Sequence, residues 1–271
     1  MVARARGEGA AGDSPAPVRS NNAVIPNPSA QRADLLAVAD LIRDGGDAAT
    51  LLRDRLPWFV GQIRADAEAG RCAEWGRSTV IDENVGAPVI PQSLFDELHS
   101  LAGLPERWPV GNAGVLHVYG YLLSTVPTPY GPKRNRWLNS QLSGALGLAD
   151  DAFTPWTPSP STLERVAAVA LPTLHSLRDA PGVWFWAEES DSATVARTVV
   201  VRREGAADGV LVYGVDEGRG MRLVTLFPIA GLDEQWAAAM LSSAPRLRYN
   251  SVAGALPAAS PLEKRRILVQ P

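Results

Sequence analysis

The chain is poor in the residues that staple or ligate. It holds a single cysteine, Cys72, in 271 residues. That excludes an internal disulfide framework and any multi-thiolate zinc site. Its three histidines do not pair at ligand spacing, and HExxH and CxxC are missing. A metal centre therefore has no support. The dinucleotide fingerprint, the phosphate-binding glycine loop and the serine nucleophile elbow are also missing, so no cofactor is expected. No apolar run nears the roughly 18 residues that cross a bilayer. The first residues carry Arg4 and Arg6 but no apolar segment of a signal peptide. The expected setting is the cytoplasm, with no membrane partner. Lysine is scarce too: Lys133 and Lys264 stand alone among 26 basic residues. Such arginine bias accompanies GC-rich coding and is not functional evidence. A net charge of −3 argues against a nucleic-acid partner, whose phosphates demand a basic face.

What is present supports one packed domain. Hydrophobic residues make up 46 % of the chain, and eight are tryptophan. Aromatic residues in this number fill a core or wall a flat pocket. Residues 1–30 are small, polar or proline and are expected to be disordered. From Gln31 the spacing turns helical, with Leu35, Val38, Ala39 and Ile42 on one stripe and Gly45-Gly46 as its stop. Asp47 caps a second helical run to about Ala69, in which Pro57 forces a kink or a fresh start. Arg77–Ile81 reads as a short strand, and Asp82-Glu83-Asn84 follows it. Ser93 is expected to cap a helix with Leu94, Phe95, Leu98 and Leu101 inward and His99 on the solvent side. Ser140–Leu148 reads as a short helix and Phe153–Pro160 as a surface loop. Ser161 and Glu164 form a capping box for a helix that ends near His175, where an imidazolium favours the dipole.

The last third changes period. Val183–Trp186, Arg197–Arg203, Gly209–Val215 and Met221–Phe227 read as strands of an antiparallel meander, separated by glycine and aspartate turns. A helix follows over Leu232–Leu241, and the basic residues from Lys264 to Arg266 lie in a solvated tail. The predicted fold is α+β: N-terminal helices packed on a mostly antiparallel sheet. One domain spans 31–255, and 256–271 is a C-terminal tail.

The stretch from His117 to Trp137, HVYGYLLSTVPTPYGPKRNRW, organises this reading. Alternation places His117, Tyr119 and Tyr121 on one face of a strand. Pro127, Pro129 and Pro132 then impose a stiff loop that ends in Lys133, Arg134 and Arg136. Polar groups on a strand end and its following loop are a common place for a site. An ordinary strand with a basic turn fits the same residues.

This stretch resembles the small actinobacterial Pictet–Spengler cyclases that build β-carbolines from tryptophan. The resemblance implies a cofactor-independent condensation of L-tryptophan with a small aldehyde, and covers about residues 31 to 255. It further implies a glutamate base from the N-terminal half. Glu83 is preferred because it follows a strand, with Glu74 and Glu97 as rivals. The reaction has its own physical needs. The amino-acid carboxylate needs a cation, for which Arg134 and Arg136 are the candidates, with Lys133 beside them. The indole needs a flat apolar slot, for which Trp75, Trp108 and Trp137 are the candidates. Dehydration of the carbinolamine needs an acid, and His117, Tyr119 and Tyr121 are in line to relay that proton. Two other readings stay open: an RNase-like phosphodiester-processing domain and a non-catalytic small-molecule binder. A homodimer is the base-rate expectation for an oligomer.

Overall fold

The computed structural model describes residues 27–157, 159–190 and 193–242, together with the strand 263–269. Expectations for residues 1–26 and 243–262 lie outside the described residues. Helix α1, Pro28–Arg43, begins three residues before Gln31. Asn27 explains the difference: its side chain accepts from the backbone N–H groups of Ser29 and Ala30, and Pro28 sits at the first helical position. Leu35, Val38, Ala39 and Ile42 form its buried stripe as the spacing predicts. Pro57 gives a fresh start, not a kink. The second run splits into α2, Ala48–Arg55, capped by Asp47, and α3, Pro57–Glu68.

A 3₁₀ turn over Arg71–Glu74 leads to the short strand β1, Arg77–Thr79. It pairs antiparallel with β2, Val110–Asn112, and α4, Gln92–Leu101, lies between them in sequence. His99 on α4 is buried, which corrects the solvent-side expectation. Its Nδ1 meets Phe95 O at 2.8 Å, and its Nε2 accepts the Asn112 N–H at 3.1 Å. A neutral imidazole that donates once and accepts once needs no water.

The segment from His117 to Tyr121 is not a strand. Residues 113–122 are helical, with a π-helical centre over Val115–Gly120. Tyr121 N–H bonds Leu116 O, five residues back. Every residue from Ala113 to Leu123 is buried. A helix buried on all sides carries no 3.6-residue stripe, so chance alternation of polar residues mimics a strand. Gly114 and Gly120 let neighbours close in. A Cβ at Gly114 would stand 2.7 Å from the Trp75 ring.

Beyond this helix come α5, Asn135–Leu138, α6, Gln141–Leu146, and α7, Thr162–His175. Ser161 caps α7 by accepting from Glu164 N–H, the serine half of the capping box, while the Glu164 carboxylate pairs with Arg71. The meander follows as β3, Val183–Ser190, β4, Val195–Arg202, β5, Gly209–Asp216, and β6, Arg222–Ile229. Helix α8, Glu234–Ser242, sets Trp236 edge-on to Phe185, 5.5 Å between ring centres. Strand β7, Glu263–Val269, pairs antiparallel with β3, so this part of the expected tail belongs to the sheet. The order across the sheet is β6-β5-β4-β3-β7. Helices α6 and α7 pack against β4, β5 and β6. The fold is thus a single α+β domain, with N-terminal helices ahead of an antiparallel sheet. Among the described residues no helix is long and apolar enough to cross a membrane.

One buried carboxylate ties three helical segments together. Asp66 on α3 is fully buried. It accepts from Tyr119 Oη of the π-helix and from Ser161 Oγ at the head of α7, and it pairs with Arg71 at 3.0 Å. Arg71 also reaches Glu164 at 2.8 Å. A buried charge with this many donors is stable only while they stay. Asp66→Ala should therefore cost about 3–5 kcal/mol, read as a lower midpoint in urea unfolding.

Candidate functional site

The π-helix and the loop after it build one polar cluster. His117 and Tyr121 are four residues apart and share a helix face. Their rings lie 4.8 Å apart at 33°. His117 Nδ1 meets Val224 O of β6 at 2.7 Å, and its Nε2 meets Ser78 Oγ of β1 at 3.0 Å. A carbonyl only accepts, so Nδ1 carries the proton and the serine hydroxyl donates to Nε2. Burial and the charge of Arg136 push the His117 pKa well below its ordinary value. The imidazole is neutral and fully enclosed.

Cations face the same phenol ring. Lys133 Nζ lies 5.4 Å from the Tyr121 ring centre, and Arg136 Cζ lies 5.0 Å from it. Arg136 also sits 5.8 Å from the Trp137 ring and 5.6 Å from the Phe227 ring. Its one side-chain hydrogen bond among the described residues goes to Thr225 Oγ1, at 3.1 Å. Burial pushes its pKa down, yet a guanidinium stays protonated in proteins. Among the described residues no carboxylate lies within ion-pair distance of Arg136. Three aromatic rings recover part of the lost hydration through cation–π attraction.

Lys133 is matched with a carboxylate. Its Nζ contacts Asp82 Oδ2, and the two side chains are 13 % and 1 % exposed. Asp82 Oδ1 accepts from the backbone N–H groups of Asn84, at 2.9 Å, and Val85, at 3.1 Å. Burial raises the Asp82 pKa, but Lys133 and the two amides outweigh it and the net direction is down. Burial and Arg136 push the Lys133 pKa down, against the pull of Asp82 and Glu83.

The structure separates several residues that the sequence groups together. Tyr119 points away from His117 and Tyr121, toward Asp66, as two residues along a helix must. Burial and Asp66 push its pKa well above the phenolic value, so it keeps its proton at neutral pH. Glu83 is exposed, and Asp82 is the buried carboxylate of that pair. Glu74 is exposed, while Glu97 is half-buried on α4. Arg134 is the N-cap of α5, two positions before Arg136, and positions two apart on a helix point in different directions. Its Nη1 is buried without a hydrogen-bond partner among the described residues.

The tryptophans divide as well. Trp75 is packed in the core against Gly114. Trp137 is buried and gives its Nε1–H to His117 O at 2.7 Å. Trp108 is half-buried and lines an apolar groove of about 410 Å³ between Ile42, Pro88–Gln92 and Leu123–Val126. None of Asp82, Lys133 and Arg136 is among the groove's lining residues. Cys72 is buried, and burial with the nearby Asp66 pushes its thiol up to about 11, so it is unreactive at neutral pH. Among the described residues no group of three His, Cys, Asp or Glu side chains could hold a metal ion.

Asp66 carries no site signal in the sequence, whereas Asp82 belongs to the carboxylate pair that follows β1, of which Glu83 is the preferred base. Asp66 continues the Phe59–Ile63 stripe of α3, so its position on an apolar face was visible. Asp82 stands directly before Glu83, and an aspartate that folds its side chain onto following amides is a known turn device. Thr225 and Phe227 had no signal, because β6 meets the loop only in the tertiary structure.

The buried histidines make stability pH-dependent. Burial depresses the pKa of both His99 and His117 in the folded chain. The unfolded chain has the ordinary value near 6.5 and binds a proton below it that the folded chain refuses. Stability should therefore fall as pH drops below about 6.5, by up to ~1.4 kcal/mol per pH unit for each histidine. Urea unfolding at pH 7, 6 and 5 measures the slope, and a flat profile would contradict the neutral assignment. No protein-family model matches the chain, and comparison with curated proteins and with solved structures finds no match.

Proposed function

We propose that the chain is a cytoplasmic, cofactor-independent Pictet–Spengler cyclase that condenses L-tryptophan with a small aldehyde. The observation that carries this reading is Arg136: a partly buried cation on three aromatic rings, with no carboxylate at ion-pair distance among the described residues and Asp82 as its electrostatic neighbour. A desolvated charge of this kind is stabilised by an anionic ligand, and a guanidinium accepts a carboxylate in a two-pronged pair. An amino acid with an aromatic side chain supplies both the carboxylate and a ring for an aromatic surround. The resemblance of the His117–Trp137 stretch to the β-carboline-forming cyclases supplies the identity of the reaction.

On this reading Arg136 anchors the tryptophan carboxylate. The amine adds to the aldehyde, water leaves, and the indole attacks the resulting iminium carbon. A carboxylate then takes the indole C2 proton and restores aromaticity. Glu83, exposed on the loop that Asp82 folds, is the base that meets a ligand without rearranging the core. Holding both reactants in place contributes to the rate, up to ~7–11 kcal/mol in ideal cases. The RNase-like reading has less support, because His99 and His117 are both buried and held neutral.

Calorimetric titration of the metal-free protein tests the anchor. L-Tryptophan should bind in the micromolar range and L-phenylalanine much more weakly. Arg136→Met should weaken tryptophan binding roughly 10–100-fold, the worth of charge-assisted hydrogen bonds. Tryptophan plus a ketoaldehyde should then give a fluorescent β-carboline or its tetrahydro precursor. Glu83→Gln should slow that turnover roughly 10²–10⁴-fold with binding unchanged. Tight binding with no turnover in the parent chain would favour a non-catalytic binder.

A further inference from the structure

Carboxylate binding at Arg136 leaves the chemistry of Lys133 unused. Lys133 is one of only two lysines in the chain. Its ammonium shares the Tyr121 ring with the Arg136 guanidinium, at 5.4 and 5.0 Å from the ring centre. A second cation and loss of water both favour the neutral amine, which is the nucleophile. Asp82 touches Nζ directly and faces it from the opposite loop. A carboxylate in contact with the amine can carry protons to and from it. The Lys133 side chain keeps 13 % of its surface exposed while Asp82 keeps 1 %, so the pair opens toward solvent from the lysine side. Among the described residues, Arg136, Asp82, Glu83, Tyr121 and the buried neutral His117 are the charged or titratable groups around it.

We propose that Lys133 is a carbonyl-reactive amine that captures an aldehyde as an imine, with Asp82 moving the protons. Asp82 takes one proton from the ammonium, and the freed Nζ attacks the carbonyl carbon. The second nitrogen proton passes to the carbonyl oxygen and gives the carbinolamine. Asp82 returns its proton to the hydroxyl, water leaves, and the nitrogen lone pair closes the C=N bond. Ammonium and aldehyde have become protonated imine and water, and no oxidant or reductant is consumed. The next step rests on the cyclase reading: the tryptophan amine attacks the imine carbon and displaces Lys133, which delivers the tryptophan imine for cyclisation. The capture itself does not depend on that reading.

Reductive trapping tests it. The full chain is incubated at pH 7 with phenylacetaldehyde and sodium cyanoborohydride, and the adduct is mapped by peptide mass spectrometry. The expected result is at least tenfold more adduct on Lys133 than on Lys264. Asp82→Asn keeps an acceptor oxygen for the Asn84 and Val85 amides and should slow trapping at Lys133 at least tenfold. Equal labelling of the two lysines, or adduct on Lys264 alone, would overturn the proposal without any variant having to fold. Lys133→Arg keeps the cation beside Asp82. If that variant made β-carboline at the parent rate, capture would not lie on the path. A parent chain that traps aldehyde at Lys133 but forms no β-carboline would sink the cyclase reading and leave the capture site standing.

Discussion

Burial of His117 is the constraint on which the rest of the structure depends. Its ring joins β1 to β6 through Ser78 and Val224, and its carbonyl takes the Trp137 indole N–H. One neutral imidazole thus links the π-helix to both β1 and β6. The edge of β6 is covered at the same place, since Gly76 N–H also bonds Leu223 O at 2.8 Å. An open edge would invite pairing with another chain. Any anionic ligand near Tyr121 would therefore rest on a wall that is already satisfied and rigid.

Two buried carboxylates divide the work. Asp66 gathers Tyr119, Ser161 and Arg71 and holds helical segments to one another. It is surrounded by its own donors and has nothing left for a ligand. Asp82 folds its loop with one oxygen and meets Lys133 with the other. Glu83 adds a second carboxylate within electrostatic reach of Lys133. Arg136, on the same Tyr121 ring, has no carboxylate at ion-pair distance among the described residues. That guanidinium is the group on which the proposed function rests. The π-helical turn lies directly under it, and such turns are frequent at functional sites.

Most local causes act as their residues predict. Pro57 restarts a helix, Asp47 and Ser161 cap helices, and the β3–β6 meander follows alternating residues between glycine and aspartate turns. Ser93 does not cap its helix: α4 begins at Gln92 behind Pro91, with no side-chain cap. The misreadings of His117–Tyr121 and of His99 share one origin. His117, Tyr119 and Tyr121 look like one strand face only if the segment has an exposed side, and it has none. His99 looks solvent-facing only if nothing packs beyond it, but Gly111 and Asn112 do. Polarity predicts exposure on average, and a polar group whose partners lie far along the chain escapes that rule.

The sequence by itself determined most of the elements, the caps at Asp47 and Ser161, the single cysteine, the rarity of lysine and the proline-stiffened loop, because these rest on backbone propensity and residue chemistry. Tertiary structure alone decided which side chains share a site. It turned Tyr119 away from Tyr121, chose Asp82 over Glu83 as the buried carboxylate, and brought Thr225 and Phe227 of β6 to Arg136. The physical reason is that burial and charge pairing depend on groups up to about a hundred residues apart, such as His117 and Val224. No local pattern in a chain records a distance of that kind.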